Sequence, residues 1–189
     1  MMIAHVDVSQ TVLQTERLVL RPFCASDLQD LYDYASVAGV GEKAGWKHHE
    51  SLEESKRILD MFIEEKKTFA LVSKETGCVI GSLGIEEGGP LANQGELKNR
   101  LVREIGYVLA QPYWGQGLMK EAVDKVIEYC FTRTPIDTLL CSHFIDNHRS
   151  QRVIEKCGFH YLCDTLFDSP VFGQINSKTY ILKKEERLG

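Results

Sequence analysis

The stretch from Trp114 to Phe131 constrains the fold more than any other part of the chain. Leu118, Ala122, Val123, Val126, Ile127, Cys130 and Phe131 recur at three-and-four spacing, which gives one apolar face along a whole helix. Such a helix must cover a sheet or another helix. Gly115 and Gly117 stand directly before it in Trp114-Gly115-Gln116-Gly117-Leu118-Met119. Glycines admit backbone dihedrals closed to other residues, and the N–H groups of a helix's first turn have no intrahelical partner. An anion placed there gains about 0.3–1 kcal/mol from the helix dipole, up to roughly 2 when partly buried. A glycine pair also begins many helices for steric reasons alone, so the segment needs context. It is neither a P-loop, since G-x-x-x-x-G-K-[ST] is missing, nor a dinucleotide fingerprint, since G-x-G-x-x-G is missing.

The remaining pattern predicts alternating strands and helices. Arg17-Leu18-Val19-Leu20-Arg21 alternates as a strand ended by Pro22, and Ser26 or Asp27 caps a helix through Leu28, Leu31, Tyr32 and Ala35. Ser51-Leu52-Glu53-Glu54 has capping-box spacing and opens a helix over Leu52 to Lys66. Phe69–Ser73 and Val79–Ile85 form an antiparallel hairpin around Lys74-Glu75-Thr76-Gly77, followed by a polar loop from Glu86 to Leu101. Arg103–Leu109 is the fourth strand and Thr138–Phe144 the fifth; Asn147 caps a helix through Lys156, and Phe159–Leu166 and Lys178–Lys183 are the last two strands.

At 189 residues and 43% hydrophobic content the chain makes one domain, residues 1–189, with 1–14 expected as a flexible leader and 184–189 as a flexible tail. The net charge of −5 has the wrong sign for a general nucleic-acid binder. No C-x-x-C pair occurs among the six cysteines, which read as reduced and mostly buried thiols, and the six histidines show no H-x-x-x-H pair, so no metal site is expected. The N-terminus lacks a basic region followed by an apolar run, and no stretch reaches about 20 apolar residues. A cytoplasmic protein without membrane contact is expected.

The segment Tyr113-Trp114-Gly115-Gln116-Gly117-Leu118-Met119 resembles the pyrophosphate loop [RQ]-x-x-G-x-[GA] of the GNAT superfamily of N-acetyltransferases, with the Y-W-G-x-G opening of the branch that acetylates ribosomal-protein N-termini, RimJ and RimL. Trp114 replaces the wider family's Arg or Gln, as is usual in that branch, and Met119 replaces Gly or Ala. Three further segments carry the resemblance: Thr15-Glu16-Arg17-Leu18-Val19-Leu20-Arg21-Pro22, the link Trp46-Lys47-His48-His49-Glu50-Ser51, and Asn147-His148-Arg149-Ser150 followed by Glu155-Lys156-Cys157-Gly158-Phe159. The resemblance implies an α+β fold: a mixed, mostly antiparallel sheet of about seven strands flanked by helices, splayed between the fourth and fifth strands. It also implies acetyl-CoA as co-substrate, with Val108 and Leu109 as backbone partners of the pantetheine arm and Gly115, Gln116, Gly117, Leu118 and Met119 around the pyrophosphate. The expected acceptor is a primary amine, a protein N-terminus by preference or a small molecule, and a homodimer is open.

Acetyl transfer needs a neutral amine beside the thioester and a way to stabilise the departing thiolate. Neutralising a lysine at pH 7 costs about 4.6 kcal/mol, an α-amine only about 1.4. Glu104 stands where a histone-acetylating branch keeps its general base, its plainer reading being a surface carboxylate paired with Arg103. Ser150 matches the serine that the resembled branch places near the sulfur, and Asn147 caps the same helix and can bond the cofactor's amide. Many relatives keep a general-acid tyrosine four residues after that serine, where this chain has Ile154. Trp46 and His49, with His48, are candidates for the acceptor pocket; His5 and His143 are weaker ones, and a nucleophilic Cys141 or Cys157 is disfavoured by its apolar neighbours.

Overall fold

The computed structural model describes residues 5–188. Its elements are β1 (Leu13–Gln14), β2 (Leu18–Pro22), α1 (Leu28–Ala35), α2 (Leu52–Glu65), β3 (Thr68–Ser73), β4 (Val79–Glu87), β5 (Val102–Leu109), α3 (Leu118–Arg133), β6 (Thr138–Phe144), α4 (His148–Lys156), β7 (His160–Ser169), β8 (Gly173–Lys183) and α5 (Lys184–Leu188). The eight strands form one sheet in the order β1-β2-β3-β4-β5-β6-β8-β7, and only β5 and β6 run parallel. The expected fourth and fifth strands are therefore β5 and β6, because the two-residue β1 precedes the first strand that the alternation marks.

Helix signals read from the sequence correspond to real caps. Ser51 Oγ accepts the Glu54 N–H at 3.2 Å, and the Glu54 carboxylate accepts the Glu50 N–H at 2.8 Å. Asn147 Oδ1 accepts the Ser150 N–H at 3.3 Å. The sheet is covered on both faces. The apolar face of α3, with Ile154 and Cys157 of α4, packs against Leu18, Phe69, Ile85 and Ile105, while Leu31 and Tyr34 of α1 and Leu59 of α2 close over Ala70 and Val79 on the other side. Ile127 and Phe131 are completely buried, each worth about 1.5–3 kcal/mol in apolar burial.

Three expectations are corrected. The leader from His5 onward is tied down, since Val6, Val8 and Leu13 belong to the main core and Val8 N–H donates to the Lys66 carbonyl at 2.8 Å; the rest of that segment, residues 1–4, lies outside the described residues. The tail forms α5, anchored by Arg100 to Glu185 at 2.8 Å and Arg187 to Asp124 at 3.0 Å, with residue 189 outside the described residues. Of the six cysteines, all without disulfides, only Cys130, Cys141 and Cys157 are buried, whereas Cys24 and Cys78 are exposed.

The feature that positions the site is a fork in the sheet. β5 and β6 pair only at Val102–Thr138, Arg103–Leu139 and Glu104–Leu140. Beyond Glu104, β5 stays with β4 as far as Leu109, and β6 stays with β8 as far as Phe144. Each strand follows its outer neighbour, so the two diverge. A cavity of about 1040 Å³ occupies the opening.

Candidate active site

Main-chain polarity along β5 decides what faces the gap. Ala110 N–H donates to the Ile80 carbonyl at 2.8 Å, and the antiparallel alternation then directs the peptide groups of Val108, Gly106 and Glu104 toward β4 as well. Those of Ile105, Tyr107 and Leu109 point toward β6. Two contacts agree with this assignment: the Cys141 thiol donates to the Ile105 carbonyl at 3.2 Å, and Trp114 Nε1 donates to the Leu109 carbonyl at 2.6 Å. The expectation of Val108 as a backbone partner is thereby corrected, because its N–H and C=O belong to the β4 ladder. Leu109 remains on the gap side, joined by Tyr107, and Val108 contributes its side chain to the cavity wall.

At the mouth of the gap the chain turns into α3. Gly115 and Gly117 have φ of 78° and 81°, in the left-handed region that a side chain disfavours by about 1–2 kcal/mol. This turn brings the first N–H groups of α3 to the cavity, with Gly115, Gly117, Leu118, Met119 and Lys120 in its wall. The Gln116 side chain turns away to the Pro112 carbonyl at 2.8 Å, and its own carbonyl accepts Arg17 Nη1 at 3.0 Å. Arg17 is held in turn by Glu121 at 2.8 Å. Met119, the departure from the family's small residue, buries its side chain in the main core. Trp114 lies under the Arg149 guanidinium, 4.9 Å from the ring centroid. Lys120, which is paired with Asp124, and Arg149, Arg152 and Lys156 all line the cavity.

Four carboxylates line the cavity as well, Glu86, Glu87, Glu104 and Asp168, together with Lys43, and Glu86 is paired with Lys67 at 2.7 Å. Glu104 does not pair with Arg103, which alternation along the strand puts on the other face of the sheet. Instead the Ser142 hydroxyl donates to Glu104 Oε1 at 2.6 Å, Ser142 and Thr179 share a hydrogen bond of 2.9 Å, and Thr179 and Thr165 one of 3.0 Å. An ionised carboxylate only accepts, so Ser142 spends its proton on Glu104 and Thr179 must donate to Ser142. Burial pushes the Glu104 pKa up; the Ser142 bond opposes this, and the charge of Glu86, directly across the β4–β5 ladder, adds to it.

On the α4 side, Ser150 Oγ lies 2.9 Å from the hydroxyl of Tyr107, and Asn147 joins its Oδ1 to the Ser150 N–H and its Nδ2 to the Lys43 carbonyl at 3.2 Å. Burial holds the Tyr107 phenol well above the usual tyrosine range. Glu104 and Ser150 thus stand on the two flanks of the fork, one on β5 and one on α4, and both line the cavity.

A long thioester fits this arrangement on three counts: a gap edged by main-chain groups, a helix N-terminus at its mouth, and four cations beyond it. Residues 17–160 match the family model described as an acetyltransferase (GNAT) domain. The chain belongs to the GNAT acetyltransferases. It is an acyltransferase enzyme with the mixed GNAT sheet. It is 28% identical over 153 residues to the uncharacterized N-acetyltransferase YoaA of Bacillus subtilis (strain 168), covering 78% of this chain and 82% of that one. The ribosomal-protein-S5-alanine acetyltransferase of Vibrio fischeri superposes with a TM-score of 0.71 at 18% identity, over 94% of this chain and 98% of the other. The spermidine N-acetyltransferase of Vibrio cholerae, solved with CoA and spermine, gives 0.73 at 16% identity over 92% and 99%. At such identities the structures share the fold.

Within this GNAT domain the expected acceptor-pocket residues Trp46 and His49 are not in the cavity wall. Trp46 packs onto Gly41, where a Cβ would collide with its ring, and meets the His49 ring in a tilted contact with centroids 5.1 Å apart. His49 is buried and bonded through Nδ1 to Ser55 Oγ at 2.7 Å, and burial lowers its pKa. Both serve the packing of the segment whose Val40, Lys43 and Ala44 do reach the cavity. His48 bonds Glu42 at 2.8 Å; His5 is exposed; His143 lines the cavity with Nδ1 on the Phe144 carbonyl at 2.8 Å. Burial raises the Cys141 thiol well above its ordinary value and the Cys157 thiol to about 12, which makes both poor nucleophiles. No group of three or more metal-binding side chains occurs among the described residues. Sequence reading missed Tyr107, Ser142 and Thr179, which carry no motif. For Tyr107 the available signal was its strand parity with Ile105 and Leu109.

Proposed function

We propose that the chain transfers the acetyl group of acetyl-CoA directly to a primary amine, in the manner of the RimJ and RimL branch, with a protein N-terminal α-amine as the favoured acceptor in the cytoplasm. One observation carries this reading: the cavity that receives the start of α3 is lined by both cations and carboxylates. Lys120, Arg149, Arg152 and Lys156 complement the phosphates of the donor, and Glu86, Glu87, Glu104 and Asp168 complement a cationic amine. The donor would lie in the fork with its pyrophosphate on the Gly115–Lys120 turn and its pantetheine along Tyr107 and Leu109. Glu104 takes the amine proton, and its raised pKa suits a base for an amine that is already partly neutral at pH 7. Ser150 faces the sulfur.

A small polyamine is the second reading, favoured by the presence of Glu87, Glu104 and Asp168 in one cavity beside the Lys67-paired Glu86. Acetyl-CoA consumption measured against peptides with free N-termini, polyamines, amino sugars and amino acids separates the two. Intact-mass analysis of proteins incubated with the enzyme and acetyl-CoA then locates the acetyl group. Turnover with none of these amines overturns the proposed activity.

A further inference from the structure

One turn beyond Ser150, Ile154 is completely buried in the main core and can donate nothing. A tyrosine reaches Ser150 from another element. Tyr107 starts from the gap-facing set of β5, passes beneath the first turn of α4, and brings its hydroxyl to 2.9 Å from Ser150 Oγ and 3.3 Å from the Ser150 carbonyl. The serine's own backbone is fixed by Asn147, whose side chain accepts the Ser150 N–H.

We infer that Tyr107 is a positioning residue for acetyl transfer: its hydroxyl donates to Ser150 Oγ and so turns the serine's proton into the cavity, toward the thioester sulfur. A serine hydroxyl has one proton and two acceptor sites. Tyr107 has a single proton for its two contacts. On the shorter one, to Oγ, it fills an acceptor site and leaves the serine proton for the cavity. On the carbonyl it would leave the phenol oxygen to accept the serine proton, and Tyr107→Phe would then free that proton and keep kcat at or above wild type. Burial makes the phenolate costly, so the proton stays on Tyr107. This inference rests on the activity proposed above. In the step, the amine nitrogen bonds to the acyl carbon, the carbon–sulfur bond breaks and its electron pair leaves on sulfur. The surplus amine proton passes to Glu104. The thiolate departs against the Ser150 hydroxyl and takes its proton from solvent, while Ser150 and Tyr107 keep theirs.

The test is a double-mutant cycle with acetyl-CoA and the best amine of the panel. Tyr107→Phe removes only the hydroxyl and is expected to lower kcat about tenfold, with KM for acetyl-CoA within about twofold. Ser150→Ala should lose about the same or somewhat more, and the double variant no more than Ser150→Ala alone. A structural role predicts something else: a lower Tm and losses that multiply. Acetyl thioesters of more acidic thiols should shrink the Tyr107→Phe deficit, since a better leaving group needs less help. If Tyr107→Phe fails to fold, 3-fluorotyrosine at that position keeps the shape and strengthens the donor. It should hold or raise kcat with Ser150 present and change nothing in Ser150→Ala. Wild-type kcat in Tyr107→Phe, multiplicative losses, or an equal fluorotyrosine effect in both backgrounds overturns the inference. A wild-type chain that turns over no amine overturns the activity itself, and this inference with it.

Discussion

The Ser142 hydroxyl donates to Glu104 Oε1 at 2.6 Å, across the point where β5 and β6 separate. Ser142 is two residues beyond Leu140, the last partner of Glu104 in the parallel ladder, so the serine that orients the carboxylate comes from the strand that is leaving it. Thr179 backs this bond, and Glu104 lines the cavity.

Glu104→Gln is expected to lower kcat by about 10²–10⁴, with acetyl-CoA affinity little changed. The wild-type rate should fall as pH drops through the raised pKa of Glu104; the variant should lack that limb and recover part of its activity at high pH. Stability moves in the opposite direction. A carboxylate whose folded pKa exceeds its ordinary 4.5 stabilises the fold fully below that value and loses this contribution as pH rises through the folded pKa. Thermal melts should therefore show Glu104→Gln more stable than wild type at pH 7 and without that advantage near pH 4. Equal kcat in both forms across pH 6 to 9 would mean that solvent deprotonates the amine and proximity supplies the rate.

Gly117→Trp should weaken CoA binding by at least about tenfold, or 1.4 kcal/mol. The turn needs φ of 81° at Gly117, which a side chain disfavours, and a Cβ there would lie 3.6 Å from Arg17 Nη2, so tryptophan would disturb the turn that presents the start of α3. Calorimetric titration gives the affinity directly. Unchanged affinity would place the pyrophosphate elsewhere.

Paired charge reversal of Arg152 and Lys156 should raise KM for acetyl-CoA at least tenfold at low salt and reduce its salt dependence, because these cations act on the donor's phosphates through solvent-screened attraction. KM for S-acetylpantetheine, which has no phosphates, should not change. Equal effects on both donors would make the loss structural.

Lysine-free peptides with a free N-terminus should be acetylated, and N-blocked peptides containing lysine should not. Neutralising an α-amine at pH 7 costs about 3 kcal/mol less than neutralising a lysine, and Glu104 has only to make up the smaller deficit. Mass spectrometry of the two peptide sets decides it; acetylation confined to small amines would favour the polyamine reading.

The sequence by itself determined whatever depends on near neighbours. The periodic face of α3, the caps at Ser51 and Asn147, the Gly115 and Gly117 turn, and the limits of β6 follow from residues within a few positions of one another, where backbone sterics and hydrogen bonding are local. Tertiary structure decided what depends on pairing between distant segments. Val108 is indistinguishable from Leu109 as a cofactor partner until the β4 ladder claims alternate peptide groups of β5. Trp46 and His49 look like pocket residues until Gly41 and Ser55 receive them. Tyr107 and Ser150 are 43 residues apart and meet only because the fork sets β5 beneath α4. A hydrogen bond of that kind leaves no periodicity, spacing or propensity in the chain, since its energy depends on where two separately formed elements come to rest.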